Sequence, residues 1–229
     1  MTRLPQDSSA SEHFQQLAEQ LGGIARLFGD RGWTPATSSN FSVRLGSDRC
    51  AVTISGRDKT RLTAADLMVV DLAGNPDGDY GAARPSAEAG LHLALYRRDP
   101  AIGAVLHTHA PNSVLTTRLQ PEADSIRLAG YELLKAFAGI TTHDTAVEVP
   151  VIANRQAIDE LAREADRRLD ATAGVCWAYL IRDHGVYAWG ADLAATLRHL
   201  EALDYLLGIE LELARLGGRT GRTWQGGQA

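Results

Sequence analysis

Apolar positions near the two ends of the chain recur at helical spacing. Near the start they lie three or four residues apart, which predicts an amphipathic helix that ends at Gly29 or Gly32. Towards the end, leucines at the same spacing predict a long helix over about 192–216 that stops at the glycine pair 217–218. The chain therefore begins and ends its ordered part with helices.

Between these helices, short apolar runs alternate with further helical patterns. Helices are predicted after Pro85-Ser86 up to about 98, over 111–119 and 128–138, and after a candidate N-cap, Asn154, to about 169. The short runs predict strands at 41–45, 50–54, 67–72, 101–106, 147–152, 175–181 and 184–189.

Helices before, between and after the strands favour an α/β protein with a sheet covered on both faces. The pattern leaves parallel and antiparallel order open. We expect one catalytic domain over 12–216, with a flexible segment at 1–11 and a disordered tail at 217–229 where periodicity is missing.

Composition narrows the classes of partner. The 229 residues are 45% hydrophobic and carry a net charge of -5 without any cluster of Lys or Arg, so we expect neither a nucleic acid nor a membrane partner, and a small substrate. No signal peptide or membrane span is recognisable, and Cys50 and Cys176 fit buried thiols in a reducing compartment. The predicted location is the cytoplasm.

Three histidines are the candidate metal ligands. His107 and His109 follow an apolar strand, and side chains two residues apart share one face of a strand, so both can bind one ion. With His184 they make three protein ligands and leave a position open, as in catalytic metal sites. Zinc suits imidazole best, although iron, cobalt, nickel or manganese could take the same site. The other four histidines are interpreted as ordinary core or surface residues.

Short polar side chains at strand ends predict an anion pocket. Ser39 and Asn40 precede one strand, and Ser55 and Gly56 follow the next. Ser86, at a predicted helix start, would add the positive end of a helix dipole. Each piece alone is also an ordinary turn or cap, but together they favour a phosphate site.

Two glutamates are candidate acid/base groups. Glu88 lies in a predicted first helical turn, where a carboxylate often only complements the helix dipole. Glu132 is three residues before Lys135 and could simply form a surface ion pair with it. A metal beside a phosphate, however, needs a base to move protons, and this favours a catalytic role for one of them.

The ordered series of these motifs resembles the class II aldolase family over about residues 12–216. The matching segments are Ser39-Asn40-Phe41-Ser42, Ser55-Gly56, Pro85-Ser86-Ala87-Glu88, His107-Thr108-His109 and the run 184–190. The resemblance implies a three-layer α/β/α domain with a central mixed or antiparallel sheet, and a homotetramer with active sites at subunit boundaries. It implies one Zn²⁺ on His107, His109 and His184, and a sugar phosphate held near Ser39, Asn40, Ser55, Gly56 and Ser86.

Within the family, segments 55–59, 131–135, 182–190 and 203–206 resemble a dehydratase branch that acts on a phosphorylated ketose. Glu88 matches the acid/base glutamate of the aldolases, and Glu132 matches the one assigned in the dehydratases. We favour Glu132 for dehydration, with Glu88 as the second choice. Ser39 stands where the aldolases usually have a glycine.

Two rival functions share this resemblance. A sugar-phosphate aldolase or epimerase of the fuculose or ribulose type would use the same fold and pocket. A noncatalytic interaction module like the head domain of adducin also resembles the family, but it has no reason to keep three metal histidines and two glutamates.

Overall fold

The computed structural model describes residues 8–219 and contains five α-helices within that range. The first helix, α1, begins at Ser8, inside the segment predicted to be flexible, and ends between the two glycines predicted to stop it. The helices are α1 Ser8–Asp30, α2 Ala89–Arg98, α3 Pro111–Leu119, α4 Ile158–Ala171 and α5 Leu193–Arg219.

The described residues form one eight-stranded sheet of order β3-β2-β1-β4-β8-β7-β6-β5. All neighbouring strands pair antiparallel except β6 and β7, which are parallel, so the sheet is mixed as expected. The strands are β1 Asn40–Arg44, β2 Arg49–Thr53, β3 Leu67–Asp71, β4 Ala104–Thr108, β5 Ser125–Ala129, β6 Ala146–Ile152, β7 Ala178–Ile181 and β8 Gly185–Gly190.

Alternate residues of each strand enter two separate apolar cores, one on each face of the sheet. Helices α1 and α5 pack on one face, where Phe28, Leu106 and Leu203 belong to one cluster. Helices α2 and α4 cover the other face, where Leu91, Leu161 and Tyr187 belong to a second cluster. Each strand contributes to both cores because its side chains repeat every two residues. The expected three-layer α/β/α architecture in one domain is confirmed.

Three predicted helices differ from the structure. The segment predicted as a helix over 128–138 instead completes strand β5 and continues as a 3₁₀ helix, Glu132–Ala136, because Ser125–Ala129 pairs with β6. Helix α2 begins at Ala89 rather than Ser86, since Pro85 bridges to Ile54. Helix α4 has Ala157 at its N-cap, so the prediction that Asn154 caps it is wrong.

The last helix extends further along the chain than predicted. Helix α5 runs through the glycine pair and ends at Arg219, because packing elsewhere along the helix outweighs the weak helix propensity of glycine. The remaining residues of the predicted N-terminal segment and of the tail, 1–7 and 220–229, lie outside the described range. Both cysteines are free, Cys50 being buried and Cys176 half-buried. Within residues 8–219, no helix is long and apolar enough to cross a membrane.

Candidate active site

The sheet register brings His107 between two polar partners. His107 on β4 pairs with Asn40 on β1 and with Tyr187 on β8, so these three side chains form one row across the face covered by α2 and α4. His109 lies just past the end of β4, where its backbone N–H donates to the Trp33 carbonyl at 3.0 Å. His184 lies in the turn between β7 and β8.

The three imidazoles converge as the spacing predicts. One ligand atom from each of His107, His109 and His184 lies within 4.8 Å of the others. The ring centroids are 4.7–5.0 Å apart, from 4.7 Å for His109–His184 to 5.0 Å for the two pairs that include His107. The cluster can therefore hold one metal ion.

Glycine at position 185 permits the close approach of the two strands beside the cluster. A Cβ on Gly185 would lie 2.2 Å from the Thr108 carbonyl oxygen and 3.2 Å from Cε1 of His107. The turn that carries His184 is anchored by the Arg182 guanidinium, which donates to three carbonyl groups, those of Thr117, Gln120 and Ala123. A side chain at position 185 would push β8 away from β4 and displace a ligand.

The protonation of His107 suits a metal ligand. Its Nδ1 lies 3.0 Å from the Val186 carbonyl oxygen, which can only accept, so Nδ1 carries the proton and Nε2 keeps its lone pair. Burial, and then the neighbouring His109 and His184, hold the pKa of His107 well below its usual value. Burial and His184 likewise lower the pKa of His109, against a smaller opposing effect of Glu88.

Two nitrogens of the cluster are buried without a hydrogen-bond partner among the described residues. They are Nε2 of His107 and Nδ1 of His184. An unpaired buried nitrogen costs about 1–3 kcal/mol, so a native site rarely keeps two of them without a use. A cation bound by neutral imidazoles satisfies such atoms, and the donor set therefore fits a divalent metal.

Glu88 is the carboxylate that the structure brings to the histidines. Its Oε2 lies 3.3 Å from Nε2 of His107, and its Oε1 lies 3.2 Å from Nε2 of His184. The Asn40 amide and the Tyr187 hydroxyl each donate to Oε2 at 2.9 Å. Glu88 stands at the N-cap of α2 and makes no side-chain cap bond there, so its carboxylate faces the cluster instead.

Glu132 lies in a different environment. It begins the exposed 3₁₀ helix Glu132–Ala136, with 72% of its side chain accessible, and pairs with Lys135 and with His143. The Lys135 hydrogen bond lowers the pKa of Glu132. It lines a second cavity of about 960 Å³ with Trp33 and Tyr205, not the cavity of the histidines. The structure does not bring Glu132 to the three histidines.

The predicted anion-binding residues occupy three adjacent loops at one end of β1 and β2. The Ser55 N–H donates to the Arg84 carbonyl and the Ser86 N–H donates to the Thr53 carbonyl, both at 3.0 Å. Asn40 starts β1 beside them, Ser39 comes directly before it, and Gly56 has a φ of 74°. The Asn40 amide is partly used by Glu88, and Ser39 donates to the Trp33 carbonyl. Ser55 and Gly56 are exposed.

Backbone strain marks the first of these loops. Ala36, Thr37 and Ser39 all have positive φ, at 52°, 61° and 73°, a conformation that non-glycine residues rarely adopt. Ser39 thus takes up the left-handed conformation that glycine adopts at the least cost. Such strain persists only where surrounding contacts hold it.

Lys59 supplies one of those contacts, and the sequence did not single it out as a site residue. Its ammonium group donates to the Thr37 carbonyl at 3.0 Å and to the Arg57 carbonyl at 2.7 Å, so it joins two of the three loops. Only 3% of Lys59 is exposed, and burial lowers its pKa. Among the described residues, no carboxylate forms a salt bridge with its nitrogen. A buried ammonium without a paired carboxylate favours a nearby anion.

A cavity of about 300 Å³ opens beside the histidines. It is lined by Glu88, His109 and His184 together with side chains before α4 that the sequence analysis did not assign to a site. These additional residues are Asn154, Arg155 and Gln156, with Asp183 from the β7–β8 turn. The polar run 154–156, just before the helix start at 158, was the sequence feature that could have indicated these cavity residues.

Comparisons with known proteins agree with this geometry. The family model described as Class II Aldolase and Adducin N-terminal domain matches residues 19–211. The chain belongs to this family.

Curated relatives narrow the comparison further. A methylthioribulose-1-phosphate dehydratase of Xanthomonas campestris pv. campestris (strain 8004) is 52% identical over 215 residues, covering 94% of this chain and 97% of that protein. The methylthioribulose-1-phosphate dehydratase of Stenotrophomonas maltophilia (strain R551-3) is 51% identical over 203 residues, covering 89% and 93%. The chain therefore matches nearly the full length of these relatives.

Solved structures show the same fold. The L-fuculose-1-phosphate aldolase of Thermus thermophilus superposes with a TM-score of 0.67 at 26% sequence identity, covering 89% of this chain and 97% of that one. The dehydratases are about twice as similar in sequence as this aldolase.

Proposed function

We propose that this chain is a metal-dependent hydro-lyase that removes water from 5-methylthioribulose 1-phosphate, giving 2,3-diketo-5-methylthiopentyl 1-phosphate, a step of methionine salvage. The observation that carries the proposal is the convergence of three imidazoles and Glu88, which lines one cavity together with His109 and His184. The relatives named methylthioribulose-1-phosphate dehydratase, at 52% identity over almost the whole chain, support the choice of substrate.

His107, His109 and His184 are the proposed ligands of one Zn²⁺. When bound, the metal supplies Lewis acidity that makes the proton next to the substrate ketone easier to remove. His107 is fixed for this role by its hydrogen bond to Val186 and by stacking on Tyr187, with ring centroids 4.2 Å apart.

Glu88 is the proposed base that takes the proton from C3. Its carboxylate is held by the Asn40 amide and the Tyr187 hydroxyl, so one oxygen has a fixed position before substrate binds. Fixed placement of the base lowers the entropic cost of proton transfer. The C4 hydroxyl then leaves as water with an added proton, and the resulting enol relaxes to the diketone.

Glu132 is proposed as the proton donor to that hydroxyl, acting at the site of a neighbouring subunit. Its exposed position and its place outside the histidine cavity support an action across a subunit boundary. A homotetramer with boundary sites, as the family resemblance implies, gives this arrangement. The proposal thus assigns different glutamates to the two proton transfers.

The phosphate is proposed to bind where the loops of Ser39, Asn40, Ser55, Gly56 and Ser86 meet. The buried Lys59 joins two of these loops and contributes a positive charge. A doubly charged phosphate at this end of the sheet would leave the sugar carbons to extend toward Glu88. We place the reaction in the cytoplasm, where the free thiols Cys50 and Cys176 stay reduced.

Incubation of the purified zinc-loaded enzyme with 5-methylthioribulose 1-phosphate, followed by mass spectrometry, tests the proposal. We expect a product lighter by one water and absorbing in the near ultraviolet, and we expect its formation to stop when a chelator removes the metal. An aldolase would instead release an aldehyde and dihydroxyacetone phosphate. Detection of those fragments, or full activity in the presence of chelator, would reject the assignment.

A further inference from the structure

A buried chain of hydrogen bonds links the interior of the protein to Glu88. The Tyr96 hydroxyl lies 2.8 Å from Oγ of Ser42, and that oxygen lies 2.7 Å from Nδ1 of His92. On the far side of the ring, Nε2 of His92 forms a short hydrogen bond with Oδ1 of Asn40. The Asn40 amide then donates to Oε2 of Glu88 at 2.9 Å.

The chain of hydrogen bonds joins residues spaced four apart on a helix to residues spaced two apart on a strand. Glu88 precedes α2, and His92 and Tyr96 follow at intervals of four residues, so all three lie on one side of the helix. Asn40 and Ser42 lie two residues apart and therefore on one face of β1. Polar residues of the helix and of the strand thus alternate along the chain of bonds, and Ser42, His92 and Asn40 are all buried.

The donors all point the same way. Burial lowers the pKa of His92 to about 3, so its ring is neutral and carries one N–H. The Asn40 amide nitrogen faces Glu88, which leaves the Asn40 oxygen to accept from His92. The N–H of His92 is therefore on Nε2, and Nδ1 accepts from the Ser42 hydroxyl. Ser42 in turn accepts from Tyr96, so each group donates one step closer to the carboxylate.

We infer that His92 is a positioning residue for Glu88: its Nε2–H holds the Asn40 amide in the one orientation that presents an N–H to the carboxylate. With the amide rotated by 180°, the Asn40 oxygen would face Glu88 and repel it. The inference rests on the proposed function in that Glu88 is the base.

The tautomer of His92 is the first test, and it requires no substrate. In the zinc-loaded, full-length protein with ¹⁵N-labelled histidine, the two-bond proton–nitrogen spectrum should show His92 neutral at pH 7 with the proton on Nε2. A spectrum with the proton on Nδ1, or a charged ring, overturns the inference. Because activity plays no part here, this result stands even if the proposed reaction proves wrong.

Turnover by a His92→Phe variant is the second test. We expect kcat to fall by about 10- to 100-fold with KM and zinc content unchanged, since small displacements of a catalytic group cost rate at this scale. His199→Phe is the matched control, because His199 is equally buried but lies on α5, at the opposite face of the sheet, and bonds to the backbone of Trp189 and Ala138. Equal losses of kcat in the two variants would reduce His92 to a core residue and overturn the inference.

Further, more conservative substitutions test the inference even if the phenylalanine variant misfolds. His92→Gln keeps an N–H donor and should recover part of the lost kcat. Ser42→Ala removes the donor to Nδ1 together with the acceptor for the Tyr96 hydroxyl, and should cost a few-fold. Tyr96→Phe, one bond further away, should stay within about 2-fold of the wild type. A Tyr96→Phe effect larger than that of His92→Gln contradicts a chain that acts through the Asn40 amide.

Discussion

Glu88 and Glu132 carry the same functional group in opposite environments. Glu88 lies against two imidazoles and accepts hydrogen bonds from Asn40 and Tyr187, and its side chain is 21% exposed. Glu132 is 72% exposed and bonds to a lysine three residues away. Glu88 is held by elements far apart in sequence, whereas Glu132 is held only by its own short helix and His143. Burial and long-range partners, not residue type, place the Glu88 carboxylate at the histidine cluster.

The largest effect should come from the metal ligands that Glu88 faces. His107→Ala removes a buried ligand, and loss of Lewis-acid help worth several kcal/mol should lower kcat by about 10³-fold or more. Metal analysis and steady-state kinetics measure both losses. His13→Ala, on the exposed side of α1, is the control and should keep the wild-type rate. Normal turnover by metal-free His107→Ala protein would show that the histidine cluster takes no part in the reaction.

Next in size is the loss of each glutamate. Glu88→Gln and Glu132→Gln should each lower kcat by about 10²- to 10⁴-fold, the usual scale of general acid–base catalysis. Both variants should keep their fold and zinc content, measured by circular dichroism and metal analysis. If Glu132→Gln retains the wild-type rate, the proton donor must be a different group and Glu88 is the leading candidate.

Mixing these two variants sharpens the comparison. When the glutamates of one site come from two subunits, a mixed tetramer contains sites with both carboxylates intact, about one quarter of all sites in an equal, random mixture. Coexpression of the two variants should therefore restore activity that neither has alone. Mixed tetramers as inactive as their parents would place both glutamates in the same subunit.

A smaller effect is expected from the loop-bridging lysine on the Glu88 side. Lys59→Met removes a buried charge and two hydrogen bonds, so KM should rise about 10-fold or more, with weaker inhibition by inorganic phosphate. Arg61→Met, nearby but 88% exposed, removes the same charge and serves as the control. Equal KM values for the two variants would mean that Lys59 only supports the fold.

The smallest effect concerns stability on the Glu132 side. Asp204 lines the cavity of Glu132, and burial raises its pKa to about 6, against a smaller opposing effect of Asn112. The folded state then holds this proton more tightly than the unfolded chain, so the contribution to stability falls as pH rises from about 4 to about 6. Asp204→Asn should therefore stabilise the protein at pH 8, by at most about 3 kcal/mol, and very little at pH 4.

Urea denaturation of both proteins at pH 4 and pH 8 measures this difference. The wild type serves as the reference at each pH. A stabilisation equal at both pH values would show that the Asp204 carboxyl is not the titrating group.

Local patterns predicted most of the framework and one part of the site. The spacing of His107 and His109 places both rings on one side, because alternation along a strand is set within two residues. Helix α3 was predicted with its observed bounds for a similar reason, since Pro111 starts a short helix with regular spacing. The segment 128–138 was predicted wrongly because its pairing with β6 overrides its local preference.

The roles of Lys59, His92 and Arg155 could not be read from local patterns. Lys59 and His92 each depend on partners from a different element, and Arg155 reaches the cavity only because the start of α4 lies beside the β7–β8 turn. The one sequence feature that could have indicated the hydrogen-bond chain is the four-residue spacing of Glu88, His92 and Tyr96. That spacing is also that of an ordinary helix face.

By itself the sequence determined the alternating elements and the set of candidate ligands, because these follow from periodicity and from the chemistry of each side chain, whereas the three-layer fold was implied by the family resemblance. Only the tertiary structure decided which glutamate faces the histidines, which amide holds it and which lysine bridges the anion-binding loops. Those choices depend on strand register and on the packing of α2 over β1. Contacts between residues some 50 positions apart arise only when the sheet has formed.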